Sequence, residues 1–198
     1  MNKTSWGLLI LVFTLFALYL PLDSPKSSTH SFKSAIDDYI PLWTGFVAIY
    51  ISYAVYLGFT FWYFYKKNKP RDLNIILAAI ALSCSLAYLV YIFYQNSIER
   101  SQIIERNIFD SIYTQINLYV PPYNAFPSLH VAISTVCALG YWNVKSKLFK
   151  WMAIWTILII ASTVLTKQHY FLDILGGLLL ATVTFYISRV LFKSEQDH

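Results

Sequence analysis

Long apolar runs separated by short polar clusters set the pattern of this chain. Six such runs occur, at about 5–22, 42–65, 73–94, 126–142, 148–166 and 170–192. Each is near the ~20 residues that a helix needs to cross ~30 Å of hydrocarbon. The fourth is the shortest, and fits best if it begins in the interface or where the bilayer thins. The pattern predicts an all-α integral membrane protein, a six-helix bundle with short interfacial helices at one end. No internal repeat or linker divides it, so residues 1–198 read as a single membrane domain. The first run has the basic flank and apolar core of a signal peptide. Pro21, Leu22 and Asp23 stand where a small-residue cleavage site would be, so an uncleaved span is expected.

Two stretches between the runs carry weaker patterns. Residues 23–41 are polar and then amphipathic, with Phe32, Ile36, Tyr39 and Ile40 spaced for one face of an interfacial helix. Residues 95–125 place apolar positions at mixed three- and four-residue spacing. One or two short helices are predicted there, lying over the mouth of the bundle and ended by Pro121 and Pro122.

Composition agrees with the pattern. Hydrophobic residues make up 57% of the 198 positions and charged residues 13%, about half the charged share of a soluble domain. The net charge of +5 is better explained by topology than by nucleic acid. With the N-terminus inside, Lys3, Lys66, Lys67, Lys69, Arg71, Lys145, Lys147, Lys150, Arg189 and Lys193 are cytoplasmic. Lys26, Lys33, Arg100, Arg106 and Lys167 are then outside, a ratio of ten to five. The expected location is thus a cell (inner) membrane, with both termini cytoplasmic. Cys84 and Cys137 lie within apolar runs without metal-ligand spacing and read as small buried hydrophobes. Most Tyr and Trp residues read as interface anchors or packing residues.

Ionisable groups inside apolar segments are costly, which draws attention to three. His169 and Asp173 are four residues apart in STVLTKQHYFLD, and on a helix they would share a face. A carboxylate that accepts from one imidazole nitrogen makes the other a better nucleophile. The ordinary alternative is a pair that stabilises a helix start. His130 sits in PSLH, where Pro127 and Ser128 mark a helix first turn and its amides offer an anion site. Its imidazole suits protonation of a leaving oxygen; the ordinary alternative is a satisfied polar residue between helices. Two histidines and a carboxylate supply a nucleophile, a proton donor and an orienting group. The charge asymmetry puts Arg100, His130 and His169 on the same extracytoplasmic side.

FPSLH followed by S-T-x5-H-x3-D resembles the second and third motifs of the type 2 phosphatidic acid phosphatase (PAP2) superfamily, usually PSGH and SR-x5-H-x3-D. Pro127, Ser128 and His130 match the second; Ser162, His169 and Asp173 match the third. NAFPSLH, TKQHYFLD and, more weakly, IPLW at residues 40–43 are similar to the branch with inositol phosphotransferases and sphingolipid-type synthases. The six-span layout is shared along most of the chain, but the specific signal covers about twenty residues. The first motif, K-x6-RP, is broken: Arg100 is the best match for its arginine and Arg106 a weaker one, with Ser101 for the proline and Phe93 for the lysine. Leu129 replaces the usual glycine and Thr163 the third-motif arginine.

The resemblance implies phosphoryl transfer through a phosphohistidine on His169, oriented by Asp173, with His130 protonating the leaving alcohol. Arg100, Ser128, Lys167, Ser162 and helix-start amides would bind the phosphate. For Lys167, an interfacial snorkelling role is the equal alternative. No carboxylate cluster suits Mg²⁺, so a reaction with no metal or cofactor is expected. The expected partners are the bilayer and a lipid phosphate or phospholipid. Water as acceptor makes a lipid phosphatase, the favoured reading; an alcohol makes a phosphotransferase. A transporter or a non-catalytic scaffold is the further alternative. A transporter usually shows broken helices or repeated halves, and neither is seen. A scaffold has no physical need to keep both histidines and the aspartate.

The orientation has a direct check. A single cysteine at position 101 (Ser101→Cys) should react with an impermeant thiol reagent in intact cells, and one at position 146 (Ser146→Cys) should not. The reverse labelling would overturn the topology.

Overall fold

The computed structural model describes residues 2–22, 24 and 29–193. Those residues form eight α-helices, a 3₁₀ turn at Thr44–Phe46 and two isolated β-bridges. The helices are α1 (Lys3–Leu22), α2 (Ala35–Tyr39), α3 (Val47–Lys66), α4 (Pro70–Phe93), α5 (Ile108–Tyr119), α6 (Leu129–Asn143), α7 (Phe149–Leu165) and α8 (Phe171–Leu191). Six of them coincide with the six apolar runs to within a few residues.

Helix α4 forms the axis of the bundle, packed by α1, α3, α6 and α8. Its residues Leu73 to Ala81 are buried without a break, as expected for a helix that is apolar all round. Helix α6 lies between α4, α7 and α8, and α3 closes the far side against α7. The outer faces are apolar as well. Trp6, Phe13, Val55, Trp62, Ile157 and Leu179 are exposed on four different helices, which in water would be a liability. Among the described residues, three helical stretches are long and apolar enough to cross a membrane: Thr44–Lys66, Pro70–Phe93 and Phe171–Leu191. Shorter apolar stretches are Lys3–Tyr19 and Phe149–Leu165. Helix α6, with 15 residues, is only about 22 Å long at 1.5 Å per residue.

Lipid gives helices no hydrophobic reason to associate, so polar side chains and small residues join them. Tyr56 Oη lies 2.8 Å from Thr156 Oγ1 and donates to the Ser134 carbonyl at 3.2 Å, tying α3, α7 and α6. Ser83 and Thr184 pair at 2.8 Å between α4 and α8. Cys84 and Cys137 are free and fully buried.

The two outer segments are less helical than their spacing suggests. Of residues 23–41, only Ala35–Tyr39 is helical, and positions 23 and 25–28 lie outside the described residues. Phe32 precedes the helix and stacks on Phe126 at 4.4 Å instead of joining Ile36 and Tyr39 on an interfacial face. In the 95–125 segment there is one helix, α5, capped by Asn107 Oδ1 on the N–H groups of Phe109 and Asp110. Residues 95–107 stay irregular because side chains take their place in the backbone network. Gln95 donates to Asn124 Oδ1, and Asn96 Oδ1 accepts from the Phe126 N–H. Asp110 anchors α5 to the start of α3 by accepting from Thr44 Oγ1 at 2.6 Å. That bond, with the Arg106 N–H, holds its carboxyl below the usual carboxylate range.

Helices α6 and α8 approach closely near their N-terminal ends, over Gly177. A Cβ there would stand 2.7 Å from the Ser128 carbonyl oxygen and 2.8 Å from Val131 Cβ. The carbonyl cannot rotate away, so Gly177→Ala should destabilise the protein by about 1–3 kcal/mol. Gly58→Ala, which meets nothing within 4 Å, should be neutral or stabilising by up to about 1 kcal/mol through helix propensity. Denaturant unfolding of both variants in detergent checks the contrast.

Candidate active site

The chemistry-bearing residues converge where α6 and α8 begin. Pro127 follows a cis peptide from Phe126, and its carbonyl accepts from Tyr91 Oη at 2.8 Å. Ser128 caps α6, its Oγ accepting from the Val131 N–H at 3.4 Å. Its own N–H donates to the Asp173 carbonyl at 3.1 Å, which joins the first turns of α6 and α8. His130 therefore starts its helix on the site side. Its ring lies between Tyr50 and Tyr53, with centroids at 4.7 and 4.6 Å. Those tyrosines are i and i+3 on one face of α3.

His169 is not on a helix, contrary to the simplest reading of the four-residue spacing. Helix α8 starts at Phe171, and His169 closes the turn from α7 with its N–H on the Thr163 carbonyl at 3.1 Å. The reason lies in the capping. Asp173 is the third residue of α8, and its Oδ2 accepts from the Tyr170 N–H at 2.8 Å, which ends the helix there. The imidazole still reaches the carboxylate: Nδ1 is 3.4 Å from Asp173 Oδ2. The contact is not a hydrogen bond, and Nδ1 and Asp173 Oδ1 are both buried with no hydrogen-bond partner. Such bonds often tighten only when substrate is bound. The His130 and His169 rings face each other edge-on, with centroids 6.0 Å apart.

Both histidines line a cavity of about 410 Å³, together with Arg100, Gln168 and tyrosines that include Tyr19, Tyr50 and Tyr91. That is the size and character of a small-ligand pocket, apolar with a few convergent polar groups. The Arg100 guanidinium donates to Asn117 Oδ1 at 2.8 Å and to the Pro121 carbonyl at 3.2 Å. Gln168 Nε2 donates to the same Asn117 oxygen at 2.8 Å. Asn117, on α5, thus aligns two donors beside the histidines.

The other sequence candidates lie apart from the cavity. Lys167 Nζ donates to the carbonyls of Asp37 at 2.8 Å and Ile40 at 2.5 Å. Ser162 is fully buried in α7, its Oγ on the Ile159 carbonyl at 2.6 Å. Ser128 is also fully buried, and its hydroxyl serves as the helix cap. Arg106 is exposed, with its N–H donating to Asp110 Oδ2. Sequence reasoning missed Gln168, Asn117, Tyr50 and Tyr53. Only the position of Gln168, next to His169, could have flagged it; the others arrive from helices far away in the chain.

Residues 104–187 match the model of the PAP2 superfamily. The matched stretch contains His130, His169 and Asp173, whereas Arg100 and helices α1 to α4 precede it. No curated protein and no solved structure matches the chain. The match indicates phosphatase-type chemistry on phosphate esters, and the helices indicate a membrane protein.

Arg100 and Arg106 separate two readings of the broken first motif. Loss of a charge-assisted phosphate contact costs about 1.5–3 kcal/mol, which is over tenfold in catalytic efficiency. Arg100→Ala should lose that much kcat/KM for a phosphate-ester substrate, while Arg106→Ala stays within about twofold. Equal, mild losses would make Arg100 a structural residue of the α5 junction.

Proposed function

We propose that the chain is a membrane lipid phosphatase that works through a phosphohistidine on His169. The observation that carries this reading is the pair of imidazoles facing each other across one cavity, with Asp173 behind the second and Arg100 and Gln168 beside it. Because Nδ1 is turned to Asp173, Nε2 is the nitrogen available to attack. It forms a bond to phosphorus as the ester P–O bond breaks, and His130 in its protonated form gives its proton to the departing alcohol oxygen. Water then attacks the phosphohistidine and returns a proton to His130, releasing inorganic phosphate. The developing charge on the phosphate oxygens is met by Arg100, Gln168 and the amides that begin α6. The residues proposed to act are thus His169, His130 and Asp173.

The same reading has all six apolar helices in the bilayer, both termini in the cytoplasm and the cavity open to the extracytoplasmic side of the cell membrane. The ten-to-five distribution of Lys and Arg supports it. The substrate would be a lipid phosphate, its head at the histidines and its tail along the tyrosine-lined walls. A second reading, transfer to an alcohol as in the inositol phosphotransferase branch, is favoured by the cover over the cavity. Val120, Tyr123 and Ala125 line it from the segment after α5, and a covered site limits water.

Purified protein should be given a phospholipid or lipid phosphate alone, and then with candidate alcohols, and the products identified by mass spectrometry. Release of inorganic phosphate without an acceptor is the expected result. Turnover that requires an alcohol and yields a new phosphodiester lipid would establish transfer instead. His169→Ala should abolish either reaction, and Asp173→Asn should slow it by about two to four orders of magnitude. Full activity in His169→Ala would sink the mechanism.

A further inference from the structure

His169 occupies a five-residue turn, 166–170, between α7 and α8. The turn is not held by its own bonds alone. Segment 34–43, which leads into α3, grips it at three successive points. The Trp43 N–H donates to the Leu165 carbonyl at 2.8 Å. The Lys167 ammonium donates to the carbonyls of Asp37 and Ile40. The Asp37 carboxylate accepts from the Phe171 N–H at 2.7 Å through Oδ1. These contacts flank His169 on both sides. Lys167 has φ of 51°, a left-handed conformation that a residue with a Cβ keeps only when its surroundings hold it there.

Asp37 is built for this position. It is 4% exposed, and its Oδ2 accepts from the Ser34 N–H at 2.8 Å and the Ser34 hydroxyl at 2.7 Å. The carboxylate also sits at the N-terminal end of α8, where a negative charge is favoured. The consequence concerns Asp173. Helix α8 begins with N–H groups that lack partners within the helix, and two carboxylates divide them: Asp173 takes Tyr170 and Asp37 takes Phe171. With Phe171 satisfied from outside, Asp173 Oδ1 stays without a partner, and Oδ2 takes only the Tyr170 N–H while lying 3.4 Å from His169 Nδ1. Without Asp37, the Phe171 N–H would compete for the Asp173 carboxylate and draw it from the imidazole.

We propose that Asp37, with Lys167, is a positioning residue for His169: the clamp fixes the α7–α8 turn and keeps Asp173 free to orient the imidazole. The claim for catalysis rests on the reading of His169 as nucleophile, whereas the positioning claim does not. Asp37 lines no part of the cavity, so it acts through the turn.

The test uses the full chain in detergent. Diethylpyrocarbonate acylates unprotonated imidazole, and peptide mass spectrometry resolves His169 from His130. The two line one cavity, so the ratio of their rates reports the setting of His169 rather than reagent entry into the cavity. Asp37→Ala should change that ratio at least threefold. It should also lower kcat on a lipid phosphate tenfold or more, with KM within twofold. Asp37→Asn retains an oxygen for the Phe171 N–H and should restore both values to within about threefold of the native protein. Lys167→Met should shift the ratio in the same direction, and the double variant should be no worse than the stronger single one, as expected for residues acting as a unit.

A folded Asp37→Ala protein with native ratio and native kcat would overturn the proposal. So would an Asp37→Asn protein as impaired as Asp37→Ala. If Asp37→Ala does not fold, Lys167→Met carries the decision by the same ratio. If the native protein turns over no phosphate ester, the proposed function fails, and the ratio alone still decides whether the clamp positions His169.

Discussion

The hydrogen bond from the Ser128 N–H to the Asp173 carbonyl, over the bare backbone of Gly177, sets the geometry on which the site depends. It joins the first turns of two helices at one depth in the bundle. Because His130 lies two residues after Ser128 and His169 four residues before Asp173, the joint brings both imidazoles to one cavity. A side chain at position 177 would push the helices apart where the histidines need them close. Association in lipid relies on close backbone approach and on polar contacts, and this joint uses both.

The polar groups around the cavity are shared out with little redundancy. Asn117 Oδ1 aligns Arg100 and Gln168, Asp37 completes the start of α8, and Asp173 keeps Oδ1 without a partner while its Oδ2 lies 3.4 Å from the unpartnered Nδ1 of His169. Unsatisfied buried groups are costly and uncommon in a folded protein. His169 Nδ1 and Asp173 Oδ1 are two of several such atoms among the described residues, and they are the two that lie on the pair proposed to perform chemistry. The aromatic walls supply the apolar surroundings in which charge on a phosphate is stabilised most strongly by fixed donors.

The outer segments have a structural role beyond covering the mouth. Segment 34–43 and helix α5 each reach the α7–α8 turn, one through Asp37 and Lys167, the other through Asn117 and Gln168. The turn carrying His169 is thereby gripped from two directions by chain that lies early in the sequence. Helix α5 is held in turn by Asp110 on Thr44, so the two segments are linked to each other as well as to the site.

The six helices were legible in the sequence because hydrophobic length is a local property and lipid leaves the backbone few other choices. His169 and Asp173 stood out as candidates through their four-residue spacing, and His130 through its place in a helix-start pattern; that His130 faces His169 is a result of packing. The match of residues 104–187 to the PAP2 superfamily covers all three. What the sequence by itself could not determine is which distant residues come to the turn. Asp37 is 134 residues from Phe171 and Asn117 is 51 from Gln168, and no periodicity relates them. The direction of Lys167 was equally hidden, since a left-handed turn aims its side chain by tertiary contact, here toward the carbonyls of Asp37 and Ile40 and not into the cavity. Local pattern determined the helices and marked the candidate residues, and packing among segments far apart in the chain decided how the candidate site is closed and held.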